Sequence, residues 1–168
     1  MLTFILSLFC LPKGVIFIIV NLNLLFFVFV KKDSSMKVYY GFDDLGSIRN
    51  PVVTTGSFDG VHIGHKAIIN RVNEIARNID GESVLITFYP HPRKVLYPET
   101  EGGKLLFILS QREKIDLLGK TGLDHLIIVR FTLEFSKVSS CDFIKNFLVD
   151  KLRVKFIVVG FNHHMGIS

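Results

Sequence analysis

The sequence predicts an α/β fold in which helices cover both faces of a parallel sheet. Short stretches of apolar, often β-branched residues alternate with longer stretches whose apolar residues recur every three or four positions, and glycine or proline separates them. Such alternation indicates parallel strands joined by crossover helices. Ligands bind these sheets beyond the carboxyl ends of the strands, so we expect the functional residues in the loops that follow strands.

The first half of the predicted domain contains two strands and one helix. Residues 52–55 are short, β-branched and stopped by Gly56, which indicates a buried strand. A second strand is predicted at 83–88. The helix between them ends near Gly81 and carries an apolar stripe formed by Ile68, Ile69, Val72, Ile75, Ala76 and Ile79. That stripe needs a sheet to cover it.

A capping pattern marks the start of the next helix. Ser110 begins the sequence Ser-Gln-Arg-Glu, in which Glu113 completes a capping box. The helix is expected to end near Gly119 or Gly122, where glycine can terminate it. The third strand then follows at 125–131, where the residues are largely apolar and β-branched.

The last predicted helix and strand complete the alternation. Ser139 or Ser140 is expected to cap this helix, and the fourth strand is predicted at 156–159. One face of the helix is apolar and is formed by Phe143, Ile144, Phe147, Leu148 and Leu152. The predicted order is therefore strand, helix, strand, helix, strand, helix, strand.

Residues 1–35 differ in composition from the rest of the chain, because Leu, Ile, Phe and Val dominate them. The uncharged run at 14–30 reaches the lower length limit for a membrane span. Two explanations stand side by side: a start site assigned too far upstream, with Met36 as the true start, or a membrane-associated segment. We expect the domain at 36–168 and a membrane contact only through residues 1–35.

Composition narrows the classes of function. A chain of 168 residues can bury one compact core, which favours a single domain. The net charge is +5, but the basic residues are scattered, so we expect no nucleic-acid partner. Cys10 and Cys141 are far apart and form no CxxC pair, which fits a reducing cytoplasm. A membrane anchor through the apolar start is the alternative location.

The loop after the first strand has features of an anion-binding site. From Gly56 to His65 it reads Gly-Ser-Phe-Asp-Gly-Val-His-Ile-Gly-His. Its glycines allow close backbone approach and positive φ, and the free N–H groups of the following helix start favour a polyphosphate. His62 and His65 can reach the same side of the first helical turn and donate hydrogen bonds to phosphate oxygens.

The loop after the second strand is the second candidate. Residues 87–93 read Thr-Phe-Tyr-Pro-His-Pro-Arg, and the prolines beside His91 stiffen the loop and favour extended backbone. Arg93 offers a planar guanidinium group for phosphate. Phe88 offers a face on which a flat ring can stack.

These two loops carry a family resemblance. The first resembles the HxGH signature of the nucleotidyltransferase superfamily, which implies a Rossmann-like fold and binding of a nucleotide triphosphate. The second resembles the TFxPHPR element of the bacterial bifunctional riboflavin kinase/FAD synthetase family. Over residues 36–168 the chain thus resembles the FMN adenylyltransferase domain of that family, incomplete at its C-terminus, and the riboflavin kinase domain is missing.

A third loop, at 160–166, resembles the VGxDFxFG stretch that contributes to the nucleotide and flavin pockets of the family. The agreement is partial, because Asn162 stands where Asp is frequent, and His164 and Met165 stand where basic and aromatic residues are frequent. The family also uses a later helix-start motif with Ser and Arg to hold the triphosphate. That motif does not occur before Ser168.

The resemblance implies transfer of AMP from ATP to FMN, which gives FAD and pyrophosphate, with Mg²⁺ accompanying ATP and no metal ligands from the protein. Catalytic roles are implied for His62 and His65. The implied ATP site consists of Gly56, Ser57, Phe58, Asp59, Gly60, His62, Gly64, His65, Gly160 and Asn162. The implied flavin site consists of Phe88, Pro90, His91, Pro92 and Arg93.

Three alternatives remain open at this point. The first is another nucleotidyltransferase with the HxGH signature, which a comparison of CTP with ATP would identify. The second is a membrane-associated nucleotide-binding remnant without activity. The third is a metal-dependent hydrolase, although it lacks the Glu of an HExxH motif, and its ligands would come from His62, His65, His91, His163 and His164.

Overall fold

A computed structural model describes residues 16–19, 35–99 and 108–160 of the chain. Its described part contains a six-stranded sheet in which every neighbouring pair of strands is parallel. The strand order is β1-β6-β3-β4-β5-β2. The strands are β1 (Ile16–Ile19), β2 (Lys37–Tyr40), β3 (Val52–Thr55), β4 (Ser83–Tyr89), β5 (His125–Arg130) and β6 (Phe156–Val159).

From β3 onward, helices connect the strands in the predicted alternation, with one additional short helix after β4 that was not predicted. Within the described residues, three α-helices precede β5, namely α1 (Ile63–Asn78), α2 (Pro92–Leu96) and α3 (Gln111–Gly119). After β5, the short α4 (Ser140–Asp142) continues directly into a π-helix at Phe143–Lys151. Short 3₁₀-helices lie at Asp59–Val61 and Phe135–Lys137.

The core lies on both faces of the sheet, because successive side chains of a strand point to opposite faces. Leu85 of β4 packs in a cluster with Ile69 of α1 and Leu118 of α3. Its neighbour Ile86 packs in the opposite cluster, which contains Ile144 and Leu148 of the π-helix. The structure therefore confirms the α/β fold with a parallel sheet and helices on both faces.

The predicted N-terminal caps of two helices are also confirmed. Ser110 and Glu113 form the capping box of α3, with each residue's side chain bonded to the other's backbone N–H group. Ser139 caps α4, since its hydroxyl accepts a hydrogen bond from the N–H group of Asp142 at 3.1 Å. Ser139 rather than Ser140 is therefore the cap.

Several features of the fold differ from the sequence prediction. Strand β2 was not predicted, and it lies at the edge of the sheet beside β5. The helix that follows α4 is π-helical instead of α-helical. Cys141 is disulfide-bonded, which the wide spacing of the cysteines did not predict.

The apolar N-terminal segment contributes one strand to the described structure. Residues 16–19 form β1, which pairs in parallel with β6 from Ile16 opposite Phe156 to Ile19 opposite Val159. The remainder of 1–35, apart from Ser35, lies outside the described residues. Within the described residues, no helix has both the length and the apolar character needed to cross a membrane.

Candidate functional site

The loop after β3 (residues 56–62, here the β3 loop) has an unusual backbone at the carboxyl end of the sheet. Phe58, Gly60 and Val61 have φ angles of 48°, 78° and 37°. Only Gly60 adopts such an angle without steric cost, and the strain at the other two persists only if the surroundings hold the loop in place. Gly56 is required for space, because a Cβ there would lie 2.9 Å from the buried Phe58 ring.

The two predicted catalytic histidines lie together at the start of α1. Their rings are stacked with centroids 3.6 Å apart. Nδ1 of His62 accepts a hydrogen bond from the N–H group of His65 at 3.4 Å, so the His62 side chain caps the helix. Gly64 lies between them, with the His62 ring 3.3 Å from the position of a Cβ. The same face of the first turn therefore carries both imidazoles, as the spacing predicted.

Two polar atoms at this site are buried without a hydrogen-bond partner. One is Nδ1 of His65 itself, and the other is Oδ1 of Asp59. The other carboxylate oxygen of Asp59 accepts a hydrogen bond from the N–H group of Ile108 at 3.3 Å. A buried polar atom without a partner is uncommon, and at a loop that follows a strand it indicates a ligand-binding site.

The pKa of His65 is lowered from 6.5 to about 4. Burial is the main cause, and the neighbouring His62 and Lys114 add to it, whereas Asp59 opposes it. His65 is therefore neutral near pH 7, and a neutral imidazole still donates one N–H hydrogen bond. An anion bound at the helix start would favour the protonated form.

The loop after β4 (residues 90–93, here the β4 loop) lies at the next strand end. The peptide bond between Tyr89 and Pro90 is cis. His91 has extended backbone angles, with φ −59° and ψ 135°, as predicted, and its Nδ1 accepts a hydrogen bond from the N–H group of Arg93. Pro92, however, begins α2 rather than continuing the extended loop. Proline is favoured there, because the first helical N–H group has no partner in the helix.

The side chains of the β4 loop differ in exposure. Pro90 and Arg93 are exposed, whereas His91 and Pro92 are half-buried. Burial lowers the pKa of His91, and the positive charges of Lys114, Arg93 and Lys94 lower it further, against the effect of Asp59. The β3 and β4 loops thus lie within electrostatic reach of the same two residues, Asp59 and Lys114.

Phe88 lies in a cluster of aromatic rings rather than alone at the loop. Its ring is 5.9 Å from that of Phe131, 6.0 Å from Phe135 and 6.4 Å from Phe143, measured between centroids. Phe88 is half-buried and packs against the core beside the π-helix. The residue therefore has a packing role, and stacking on a flavin stays a prediction.

The sequence did not identify Lys114 as a site residue, yet it reaches the β3 loop from α3. Its Nζ donates a hydrogen bond to the Ser57 carbonyl oxygen at 2.8 Å. The hydroxyl group of Thr87 donates to the same oxygen at 3.1 Å. Lys114 is the fourth residue of α3 and follows directly after the capping-box Glu113. A lysine in a helix gives no local signal for such a contact.

The third predicted loop is described only at its first residue. Gly160 follows β6, and a Cβ at this position would lie 3.1 Å from Cδ1 of Ile68 in α1. The carboxyl end of β6 therefore lies beside the helix that carries the two histidines. Asn162, together with His163 and His164 of the alternative metal site, lies outside the described residues.

The described side chains form no cluster of metal ligands. In the ranges 35–99 and 108–160, no three His, Cys, Asp or Glu residues are grouped so that they could hold a metal ion. The Oδ1 atom of Asp59 is the buried carboxylate oxygen without a partner beside the β3 loop. Carboxylate oxygen is a ligand type that Mg²⁺ prefers, usually together with substrate phosphates.

Comparison with solved structures supports the fold. The chain is similar to a macrolide-efflux protein from Streptococcus pneumoniae, with a TM-score of 0.68 and 27% identity. The match covers 78% of this chain and 43% of the other.

Curated relatives share one description. The chain is 38% identical over 117 residues to the bifunctional riboflavin kinase/FMN adenylyltransferase of Listeria monocytogenes, which covers 70% of this chain and 36% of that protein. It is 33% identical over 132 residues to the protein of the same name from Buchnera aphidicola subsp. Acyrthosiphon pisum, which covers 78% of this chain and 41% of that protein. The chain therefore spans about two fifths of the length of these relatives.

A protein-family model supplies the assignment. The model of FAD synthetase matches residues 46–168, which include the β3 loop, the β4 loop and the third loop. The match covers most of the chain. The chain belongs to the FAD synthetase family.

Proposed function

We propose that this chain transfers AMP from ATP to FMN, which makes FAD and pyrophosphate. The observation that carries the proposal is the stacked pair of His62 and His65 at the start of α1, directly after a strained loop. Membership of the FAD synthetase family supports the choice of substrates. The helix start supplies free N–H groups and a partial positive charge for the phosphates of ATP.

In the proposed reaction, a phosphate oxygen of FMN attacks the α-phosphorus of ATP. One P–O bond forms there, while the bond from the α-phosphorus to the oxygen bridging to the β-phosphorus breaks and pyrophosphate leaves. The attacking phosphate is already anionic near neutral pH, so the site needs to position the phosphates and stabilise their charge. It needs no protein nucleophile.

The residues of the site divide this work. His62 and His65 donate hydrogen bonds to phosphate oxygens as charge develops in the transition state. Backbone groups of Gly56, Ser57, Phe58, Asp59 and Gly60, with Gly64 and Gly160 beside the helix, line the ATP site. When bound with ATP, Mg²⁺ would neutralise phosphate charge. In contrast to the expectation of no protein ligand, Oδ1 of Asp59 is the protein atom that would hold it.

The β4 loop is proposed to meet the flavin side. Arg93 is exposed and free to contact the phosphate of FMN with its planar guanidinium group. Pro90, His91 and Pro92 shape the loop around it, and the half-buried Phe88 contributes apolar surface. Asn162 is proposed to complete the nucleotide site.

The first test is FAD formation from FMN and Mg-ATP by the chain of 168 residues. We expect His65→Ala to lower turnover by ~100-fold or more, as the loss of a transition-state donor does. A matched control is Arg77→Ala, because Arg77 is exposed in the last turn of the same helix. Equal turnover by the wild type and His65→Ala would overturn the role of His65.

The same assay separates the alternatives. FAD formation with ATP but not CTP supports the proposal, whereas transfer from CTP indicates another nucleotidyltransferase of the HxGH type. Binding of ATP without FAD formation indicates a nucleotide-binding remnant. Metal analysis of the purified chain addresses the hydrolase alternative.

We also propose a cytoplasmic location and, in longer relatives, a riboflavin kinase partner domain. The location is proposed from the small-molecule substrates, ATP and FMN, whereas the disulfide at Cys141 favours an oxidising compartment. Fractionation of cells that express the full chain and a chain that starts at Met36 tests it. Membrane recovery of the full chain alone would assign an anchor to residues 1–35.

A further inference from the structure

Lys114 occupies a place in the site that its position in the sequence does not reveal. It belongs to α3, whose Leu118 is fully buried against the sheet, so the helix is held firmly. The Lys114 side chain is half-buried, and burial lowers its pKa while Asp59 raises it. An ammonium group withdrawn from water costs free energy, which its contacts must offset.

The contact made by Lys114 is with the backbone of the strained loop. Its Nζ lies 2.8 Å from the carbonyl oxygen of Ser57, and Thr87 donates to that oxygen at 3.1 Å. A carbonyl oxygen has two lone pairs, so these two donors saturate it. Ser57 directly precedes Phe58, the first residue of the loop with a positive φ. Side chains of α3 and β4 thus fix the entrance of the β3 loop.

The charge of Lys114 also acts on both loops. It lowers the pKa of His65 at the start of α1 and the pKa of His91 in the β4 loop. The other charged or titratable groups that act on His65 are His62 and Asp59. Those that act on His91 are Arg93, Lys94 and Asp59. Lys114 is therefore the positive group that the two histidines share.

A half-buried lysine can have a purely structural role. Lysine often lays its methylene chain on apolar surface and points its ammonium group to water or to the nearest carbonyl. Such a lysine would have no effect beyond packing. Here the carbonyl is the one that precedes two strained non-glycine residues, and the ammonium group acts on histidines of both candidate loops.

We propose that Lys114 is a positioning residue for this site, which holds the β3 loop through the Ser57 carbonyl group and supplies the positive charge shared by the β3 and β4 loops. The proposal rests on the proposed function for its link to ATP. Its two physical parts, the held loop and the shared charge, can be measured on the chain without substrate.

Lys114→Met tests both parts, because methionine keeps the length of the side chain and removes the charge and the donor. Lys114→Arg keeps the charge and serves as the rescue variant. Lys120→Met is the matched control, since Lys120 is exposed at the other end of α3. All are made in the full chain and compared for secondary structure by circular dichroism before use.

Substrate-free measurements decide the proposal. In Lys114→Met we expect faster amide exchange in residues 56–61 and a higher pKa for His65 and His91 by NMR titration. Lys114→Arg should keep the two pKa values close to those of the wild type, and Lys120→Met should change neither measurement. Unchanged histidine titration and unchanged exchange in a folded Lys114→Met would overturn the proposal. If Lys114→Met does not fold, Lys114→Gln replaces it under the same criteria.

Binding and turnover then connect the residue to ATP. We expect Lys114→Met to weaken Mg-ATP binding ~10-fold or more, as loss of a charged hydrogen bond does, with partial recovery in Lys114→Arg. Unchanged ATP affinity in a variant with a loosened loop would contradict the link to ATP. If the wild type makes no FAD, the proposed function fails, whereas the substrate-free measurements still judge Lys114.

Discussion

At the scale of single residues, the site places one neutral imidazole, that of His65, where anions are expected to bind. The stacked rings of His62 and His65 lie 3.6 Å apart, a distance at which two positive charges would repel each other strongly. The low pKa of His65, about 4, removes this repulsion in the free protein. A bound polyphosphate would lift the penalty for protonation, so binding and proton uptake are expected to be linked.

This pKa has a consequence for stability. Folding lowers the pKa of His65 from 6.5 to about 4. Between these two pH values the unfolded chain therefore binds more protons than the folded protein. The free energy of unfolding therefore falls as the pH drops through that window. Above pH 6.5 the titration of His65 takes nothing from it. Urea denaturation at several pH values between 6.5 and 5 measures the slope.

His65→Gln supplies the comparison for that slope. The upper part of the window is chosen because Glu82, Glu113 and Glu134, whose pKa values are lowered from 4.5, are still ionised there in both states. We expect the free energy of unfolding to depend less steeply on pH in the variant. Part of the dependence should remain, because the pKa values of His91 and His125 are also lowered. A slope that is unchanged in His65→Gln would show that His65 titrates normally.

At the scale of secondary-structure elements, α3 links local sequence to the site. The hydroxyl oxygen of Ser110 accepts from the N–H group of Glu113 at 3.3 Å, and Oε2 of Glu113 accepts from the N–H group of Ser110 at 2.8 Å. These bonds satisfy backbone donors that a helix start leaves without partners. Because Lys114 is the next residue, the cap also fixes where the ammonium group reaches the β3 loop.

Ser110→Ala removes the cap of α3. We expect a loss of about 1 kcal/mol in the free energy of unfolding, as for other N-cap serines replaced by alanine. Urea denaturation measures the loss, with Ser47→Ala as the control because Ser47 is exposed in a loop. Equal stability of the two variants would mean that the capping box contributes nothing.

At the scale of the whole molecule, the sheet unites the three candidate loops. Strands β3, β4 and β6 are neighbours, because β3 pairs with both of the others. Their carboxyl ends therefore open at one edge, where the β3 loop, the β4 loop and Gly160 follow. The sheet is held by side chains that are fully buried on both faces, among them Leu85 and Ile86.

Leu85→Ala tests how far the sheet depends on this packing. Leu85 of β4 has 0% exposure and packs in the cluster that contains residues of helices α1 and α3. Shortening its side chain should therefore leave a cavity. We expect a destabilisation of about 2–5 kcal/mol. Leu133→Ala, at a site with 55% exposure, is the matched control and should cost far less. Thermal and urea unfolding both measure this difference, and equal losses in the two variants would contradict the assigned core.

Several parts of the fold follow from local sequence. The predicted strands at 52–55 and 156–159 match β3 and β6, and the capping box starts α3 at the predicted place. These signals are local, because β-branched residues, caps and helical periodicity act within a few residues. The stacked histidines belong to the same class, since a spacing of three at a helix start brings both rings to one face.

Other features depend on contacts between distant segments, and only the tertiary structure decided them. The short segment at β2 becomes a strand because it pairs with β5. The order of strands in the sheet arises from such pairings. Lys114 and Ser57 are 57 positions apart in the sequence, so no local pattern predicts their contact. The low pKa of His65 likewise results mainly from burial. The sequence by itself determined which residues lie at strand ends, and folding decided which of them meet and how water is excluded from them.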